Sequence, residues 1–221
     1  MKNVSLIVFD FDGTLCDTQR NIVTTLKATI EENRLPERTD EQCVAIIGYP
    51  LNECFRQLFP DLNERQVQQC ADSYRRIFAE KLANCKPDPF PGVVPTVKLL
   101  KQMGLTLTIA SSRSHASLVE LSCHMGIESC FSLFLGADDV EIAKPNPEPV
   151  LKTLRETGFS PEETLVVGDM PVDIRMGKGA RAKTVGVTYG NGSRHMLLQA
   201  GADFIINSFH ELTNIINILE K

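Results

Sequence analysis

The stretch IVFDFDGTLCDT, Ile7 to Thr18, decides how the rest of the chain is read. Three apolar residues run into Asp10; Phe11 follows, then Asp12 and the pair Gly13-Thr14. A buried carboxylate is costly without a partner, so two of them at the end of an apolar strand require a reason. In an extended segment the side chains at i and i+2 point the same way. Asp10 and Asp12 can therefore face one substrate while Phe11 packs away from it. Gly13 permits the tight turn that takes the chain out of the strand.

Outward from this stretch, the run SLIVFD (Ser5 to Asp10) predicts a buried strand. Between Thr18 and Cys85 the pattern is helical throughout. Thr18 is placed to cap a helix through NIVTTLKATIEEN, and Asp40 one through EQCVAII. LNECFRQLF follows Gly48-Tyr49-Pro50, and Asn63 is placed to open a long helix through ERQVQQCADSYRRIFAEKL. Lys86 to Gly92, with three prolines and a glycine, reads as a linker or hinge. Beyond it, helical patterns alternate with the apolar runs LTLTIA, FSLFLG, TLVVG, KTVGVT and DFIIN. Apolar strands alternating with helices imply a parallel sheet covered on both faces. The expected architecture is a doubly wound α/β core (residues 1–16 and 87–221) carrying an all-helical cap (residues 17–86).

Composition sets the outer limits. With 221 residues, 43% hydrophobic and 23% charged, the chain can bury a substantial core. A net charge of −5 disfavours nucleic acid or an anionic membrane surface as the main partner. Seven cysteines with no C-x-x-C pair fit reduced thiols better than a disulfide framework. No apolar run reaches the roughly 20 residues of a membrane span, and no signal-peptide pattern precedes the first strand. The expectation is a cytoplasmic protein, monomeric or weakly dimeric.

Ligands of open α/β sheets sit beyond the carboxyl ends of the strands, so the residues there carry the functional reading. Asp10 and Asp12 follow the first strand, and Ser111, Ser112 and Arg113 follow LTLTIA. Asp138, Asp139 and Lys144 come after FSLFLG; Asp169 and Asp173 come after TLVVG. Carboxylates gathered in one place repel each other unless a cation shares the site, and oxygen donors suit Mg²⁺. A metal, a lysine and a hydroxyl beside backbone N–H groups suit a phosphoryl group. One carboxylate can attack phosphorus; another can protonate the leaving oxygen and later activate water.

These motifs carry a resemblance. DFDGTLCDT, the serine ending LTLTIAS, the KPNPEP run and GDMPVD resemble the four signatures of the haloacid dehalogenase superfamily. The layout is similar to phosphatases of the phosphoglycolate phosphatase type, with a helical cap after the first strand. The resemblance implies Asp10 as nucleophile and Asp12 as general acid and base. It implies that Ser111 and Lys144 hold the transferring phosphoryl group, with Ser112 beside them. It also implies Mg²⁺ on Asp10, the Asp12 backbone carbonyl and Asp169, with Asp173 supporting the metal site or Lys144. Gly48, Tyr49 and Asn52 in the cap are the candidates for selecting the substrate.

Several residues admit plainer readings. Ser111 and Ser112 can serve as the N-cap of the next helix, a position that also binds phosphate. Asp173 can sit in a first helical turn as a dipole partner, and Asp138 and Asp139 read as solvated loop acids. Cys16 reads as packing, since no activating base lies near it in sequence. Gly177-Lys178-Gly179 reads as the end of a helix and departs from the alanine- and glycine-rich run more usual in the resembling family.

The expected activity is a Mg²⁺-dependent phosphatase acting on a small phosphorylated metabolite. Phosphoglycolate, a sugar phosphate, a nucleoside monophosphate and pyrophosphate all remain open as substrates. A sugar-phosphate mutase of the β-phosphoglucomutase type is the main alternative. Hydrolytic dehalogenation needs neither Asp12 nor the acidic G-D-x-x-x-D, and a non-catalytic binding module would not require this full set.

Overall fold

A computed structural model describes residues 3–219. Six strands form one wholly parallel sheet: β1 (Leu6–Phe9), β2 (Thr106–Ala110), β3 (Leu133–Leu135), β4 (Thr164–Gly168), β5 (Lys183–Val187) and β6 (Phe204–Ile206). Their order is β3-β2-β1-β4-β5-β6, so β1 lies at the centre between β2 and β4. All four β1 residues are buried. Ile7 and Phe9 enter one core cluster and Leu6 and Val8 the other, as period-2 alternation in a sheet covered on both faces requires. Phe9 anchors the larger cluster, with its ring 5.7 Å from that of Phe209 and 6.2 Å, edge-on, from Phe131.

Four helices fill the segment between β1 and the proline-rich linker: α1 (Gln19–Glu32), α2 (Asp40–Ala45), α3 (Leu51–Leu58) and α4 (Glu64–Asn84). α1 buries Ile22, Val23, Leu26 and Ile30 against α4, which presents Val67, Cys70, Ala71, Phe78 and Leu82 at helical spacing. The hydroxyls of Thr25 and Thr29, buried on α1, donate to the carbonyls of Asn21 and Thr25. Tyr74 stacks on Phe78 and meets Phe55 of α3 edge-on.

The two chain crossings between this helical segment and the sheet run side by side. Cys16 and Pro89 form an antiparallel bridge; the Asp17 N–H donates to Asp88 O and the Phe90 N–H to Leu15 O. The remaining helices are α5 (Val93–Gln102), α6 (His115–His124), α7 (Glu148–Thr157), α8 (Pro171–Gly179), α9 (Arg194–Gln199) and α10 (Leu212–Leu219). All seven cysteines are free thiols. Among the described residues no helix is long and apolar enough to cross a membrane.

Three capping expectations differ from what is found. Thr18 precedes α1 with helix-like torsions (φ −102°, ψ −2°), and its hydroxyl makes no cap bond and has no partner. The cap of α2 is Thr39, not Asp40. Thr39 accepts from the Gln42 N–H while the Gln42 side chain takes the Thr39 N–H, so Asp40 becomes a first-turn carboxylate favoured by the helix dipole. Neither Ser111 nor Ser112 caps α6, because the helix begins only at His115, after Ser114. Asn63 does cap α4, in a reciprocal pair with Gln66.

Gly177-Lys178-Gly179 is the end of α8, and Gly177 has a packing reason. A Cβ there would lie 2.6 Å from Thr184 Cγ2 and 3.0 Å from Val166 Cβ, both on strands under the helix. The missing side chain lets α8 lie close against β4 and β5. Gly177→Val is expected to cost about 2 kcal/mol through overpacking. The thermal midpoint of a chain this size should then fall by about 4–8 °C, measurable by differential scanning fluorimetry.

Candidate active site

The sheet order makes β1 and β4 neighbours, and their carboxyl ends carry the acids. The Asp10 N–H still donates to Val167 O of β4 at 2.8 Å, so Asp10 is held to the sheet while its side chain leaves the strand. The chain then turns sharply. The Phe11 carbonyl accepts from the N–H groups of Thr14, Leu15 and Cys16, and Gly13 sits at φ +85°. A side chain at Gly13 would collide with the Asp169 carboxylate, so glycine here serves both the turn and the close approach. Phe11 is fully buried in the core, as the i, i+2 argument expects.

The turn brings together residues far apart in sequence. Lys144 Nζ donates to Asp10 Oδ1 at 2.5 Å and to Asp173 Oδ1 at 2.7 Å, and all three side chains are almost wholly buried. The other oxygen of Asp173 accepts the Met170 N–H that precedes α8. Thr14 Oγ1 lies 3.3 Å from Asp10 Oδ2 and 3.2 Å from Asp169 Oδ1; with one proton it donates to only one of them at a time. Asp169 Oδ2 accepts from both the backbone N–H (2.7 Å) and the side-chain amide (2.9 Å) of Asn191. One oxygen from each of Asp10, Asp169 and Asp173 lies within 4.8 Å of the others.

Three buried carboxylates thus face one ammonium. Burial pulls the Lys144 ammonium down, but Asp10 and Asp173 outweigh it and hold the group charged. Asp10 is pushed well above the usual carboxylate range, first by burial and then by Asp173 and Asp169, with Lys144 opposing. Asp169 is raised to about 7, again by burial and then by Asp173, against the Asn191 and Thr14 hydrogen bonds. Negative charge left uncompensated among oxygen donors is what a hard divalent cation offsets, so this donor set fits one.

Asp12 lies apart from that triad. Its carboxylate takes both Nε (3.2 Å) and Nη2 (2.5 Å) of Arg113, and Arg113 Nη1 donates to Ser117 Oγ. The Arg113 guanidinium also sits 4.8 Å over the Phe78 ring of α4, so one side chain ties the sheet edge to the helical segment. The Asp12 side chain does not belong to the acidic triad, in which Asp173 stands instead; its expected contribution to a metal was through the backbone carbonyl.

Ser111 is buried, and its Oγ accepts the Arg113 N–H at 3.3 Å. Ser112 is turned the other way, donating to the Gly48 carbonyl at 2.7 Å. That bond joins its hydroxyl to the helical segment, while the residue still lines the cavity over Asp10 and Asp12. Tyr49 and Asn52 line the cavity over the site, and the Asn52 amide donates to Gln68. Asp138 and Asp139 serve the loop. Asp138 accepts from the His115 N–H, and Asp139 from the Gly136 N–H and the His115 ring. Cys16 is buried beside Leu15, and burial, then Asp12, pushes its thiol upward.

Thr14, Arg113 and Asn191 received no role from the sequence. Thr14 lies inside the opening motif. Asn191 lies in the turn-rich TYGNGS run after the fifth strand, whose carboxyl end, like that of the sixth, carries no acid pair to mark it.

Comparison with known proteins agrees with this geometry. The chain is 34% identical over 218 residues to a protein named a probable phosphatase, IndB, of Dickeya dadantii, covering 98% of this chain and 95% of that one. It is 30% identical over 218 residues to pyrophosphatase PpaX of Halalkalibacterium halodurans, covering 97% and 98%. A solved haloacid dehalogenase-like hydrolase from Bacteroides fragilis superposes with a TM-score of 0.86 at 28% identity, covering 95% of this chain and all of that one. The family model for haloacid dehalogenase-like hydrolases matches residues 7–187. With the acids gathered at the ends of β1 and β4, the chain belongs to the haloacid dehalogenase-like hydrolase family.

Proposed function

We propose that the protein is a Mg²⁺-dependent phosphatase that hydrolyses a small phosphorylated metabolite through an aspartyl-phosphate on Asp10. The observation that carries this reading is the convergence of Asp10, Asp169 and Asp173, the first and last of them bonded to Lys144, with Asp12 alongside. Asp10, Asp169 and the Asp12 carbonyl would hold Mg²⁺, which would supply charge neutralisation for the phosphoryl oxygens. Residues 17–86 form the cap over a core made of residues 1–16 and 87–221.

In the first half-reaction an Asp10 oxygen attacks phosphorus, and the bond from phosphorus to the leaving oxygen breaks. Lys144 and Ser111 hold the phosphoryl oxygens. Asp12 delivers a proton to the leaving oxygen, which departs as an alcohol. In the second half, Asp12 takes a proton from water as that water attacks phosphorus, which returns Asp10 as a carboxylate and releases inorganic phosphate. Both Asp12 oxygens are engaged by Arg113 in this structure, so proton delivery requires Asp12 to turn out of that pair.

Replacing the nucleophile tests the reading directly. Asp10→Asn should lower phosphate release by at least ~10³-fold, and wild-type activity should vanish with chelator. Activity surviving either change sinks the mechanism.

The raised Asp169 gives a second test that needs no turnover. A carboxyl whose folded pKa lies above its unfolded value adds stability below the unfolded pKa, and that stability is lost as pH climbs to about 7. Mg²⁺ should therefore raise the melting temperature of the metal-free protein more at pH 8 than at pH 5. Asp169→Asn should remove most of that difference, while an equal Mg²⁺ effect at both pH values counts against the site.

A further inference from the structure

The cavity over Asp10 and Asp12 has a volume of about 830 Å³ and lies, half open to solvent, between the sheet edge and the helical segment. That is within the range of sites that hold drug-sized ligands, and far more room than a two-carbon acid or a second phosphate fills. Its wall on the helical side is built from Leu26, Ile47, Tyr49, Tyr74, Phe78 and Leu82. Tyr74 and Phe78 stack with ring centroids 5.7 Å apart and an interplanar angle of 15°.

The charges that line the cavity argue in the same direction. Among the described residues two cations line it, Arg75 and Arg113, against four acids: Asp10, Asp12, Glu120 and Asp138. Arg113 is spent on Asp12, and Arg75 is paired with Asp72 on its exposed side. Glu120 is paired with Lys86. An anionic leaving group, such as glycolate or a second phosphate, would meet more acids than cations in a largely apolar cavity, with Arg113 open to it only while Asp12 is turned away, and a charge desolvated without a partner is costly. A nucleoside would set sugar hydroxyls and base edges against a lining whose neutral polar groups include Asn52, Ser112 and Ser117, each already hydrogen-bonded within the protein, and an unmatched polar group is also penalised.

Resting on the phosphatase reading, we propose that this cavity selects phosphomonoesters whose leaving alcohol is uncharged and predominantly apolar, with an aromatic or branched aliphatic body. The phosphoryl group sits at Asp10, Lys144 and Ser111, and the body of the alcohol lies against Phe78, Tyr74 and Leu82. The relatives' names supply no such preference; one of them is a pyrophosphatase.

The test compares benzyl phosphate and cyclohexylmethyl phosphate with phosphoglycolate, pyrophosphate and adenosine 5′-monophosphate, all with the wild-type enzyme and Mg²⁺. The two apolar esters leave as ordinary alkyl alcohols, so intrinsic leaving-group reactivity does not favour them. Their kcat/KM should exceed those of the three polar substrates by at least about tenfold, the scale on which an apolar pocket discriminates. Equal or higher kcat/KM for any polar substrate overturns the proposal while leaving the phosphatase reading intact; no phosphate release from any compound overturns both. Phe78→Ala, with folding checked by thermal melt, should narrow the gap between benzyl phosphate and phosphoglycolate about tenfold. Tyr49→Ala, at a less buried position, should narrow it in the same direction. An unchanged gap in the folded variants also overturns the proposal.

Discussion

A single ammonium, Lys144 Nζ, stands between Asp10 and Asp173 in a place almost wholly closed to water, and the rest of the site depends on it. Three carboxylates at that depth repel one another, and burial alone raises each of their charging costs. The lysine offsets part of this charge and Asn191 and Thr14 satisfy the oxygens of Asp169, yet Asp10 and Asp169 still bind protons more tightly than an ordinary aspartate. The residual negative charge, on oxygen donors, is of the kind a hard divalent cation offsets. Remove the lysine, and Asp10 and Asp173 lose the one cation that, among the described residues, is bonded to them.

The backbone makes that arrangement possible. Because β1 and β4 are adjacent, Asp10 and Asp169 emerge at the same edge, and Gly13 lets the chain pass next to Asp169 where any side chain would collide. The paired crossings at Cys16 and Pro89 carry the chain out to α1–α4 and back, so the helical wall returns directly above the acids. Arg113 links the two parts. It holds Asp12 with its fork and lies over Phe78 with its face, coupling that acid to the wall of the cavity. The Ser112 hydroxyl, bonded to the Gly48 carbonyl, adds a second tie between the same two parts.

Much of this was legible in one dimension. Strand β4 begins and ends where TLVVG does, and the Asn63 cap and the helix after it follow from capping chemistry and period. Local signals were weaker where two neighbours compete. Thr39 and Asp40 are both good caps, and the reciprocal Gln42 decides for Thr39. Thr18 has capping chemistry, but its helix-like torsions keep its hydroxyl from any cap bond. Asn191 escaped notice because a turn-rich loop does not reveal which acid it will cover until the fifth strand is placed beside the fourth.

The sequence by itself determined the alternation of strands and helices, the helical segment after the first strand, and which acids lie at the strand ends. Those follow from periodicity and from local chemistry, which act over a few residues. Tertiary structure alone decided the partners: that Lys144 bridges Asp10 to Asp173, that Arg113 takes Asp12, that Ser112 turns to Gly48, and that Thr14 sits between two carboxylates. Apart from Thr14 to Asp10, these pairings span 29 to 155 residues and depend on strand order and on the angle at which the chain leaves the sheet. Neither is written in any short stretch of sequence.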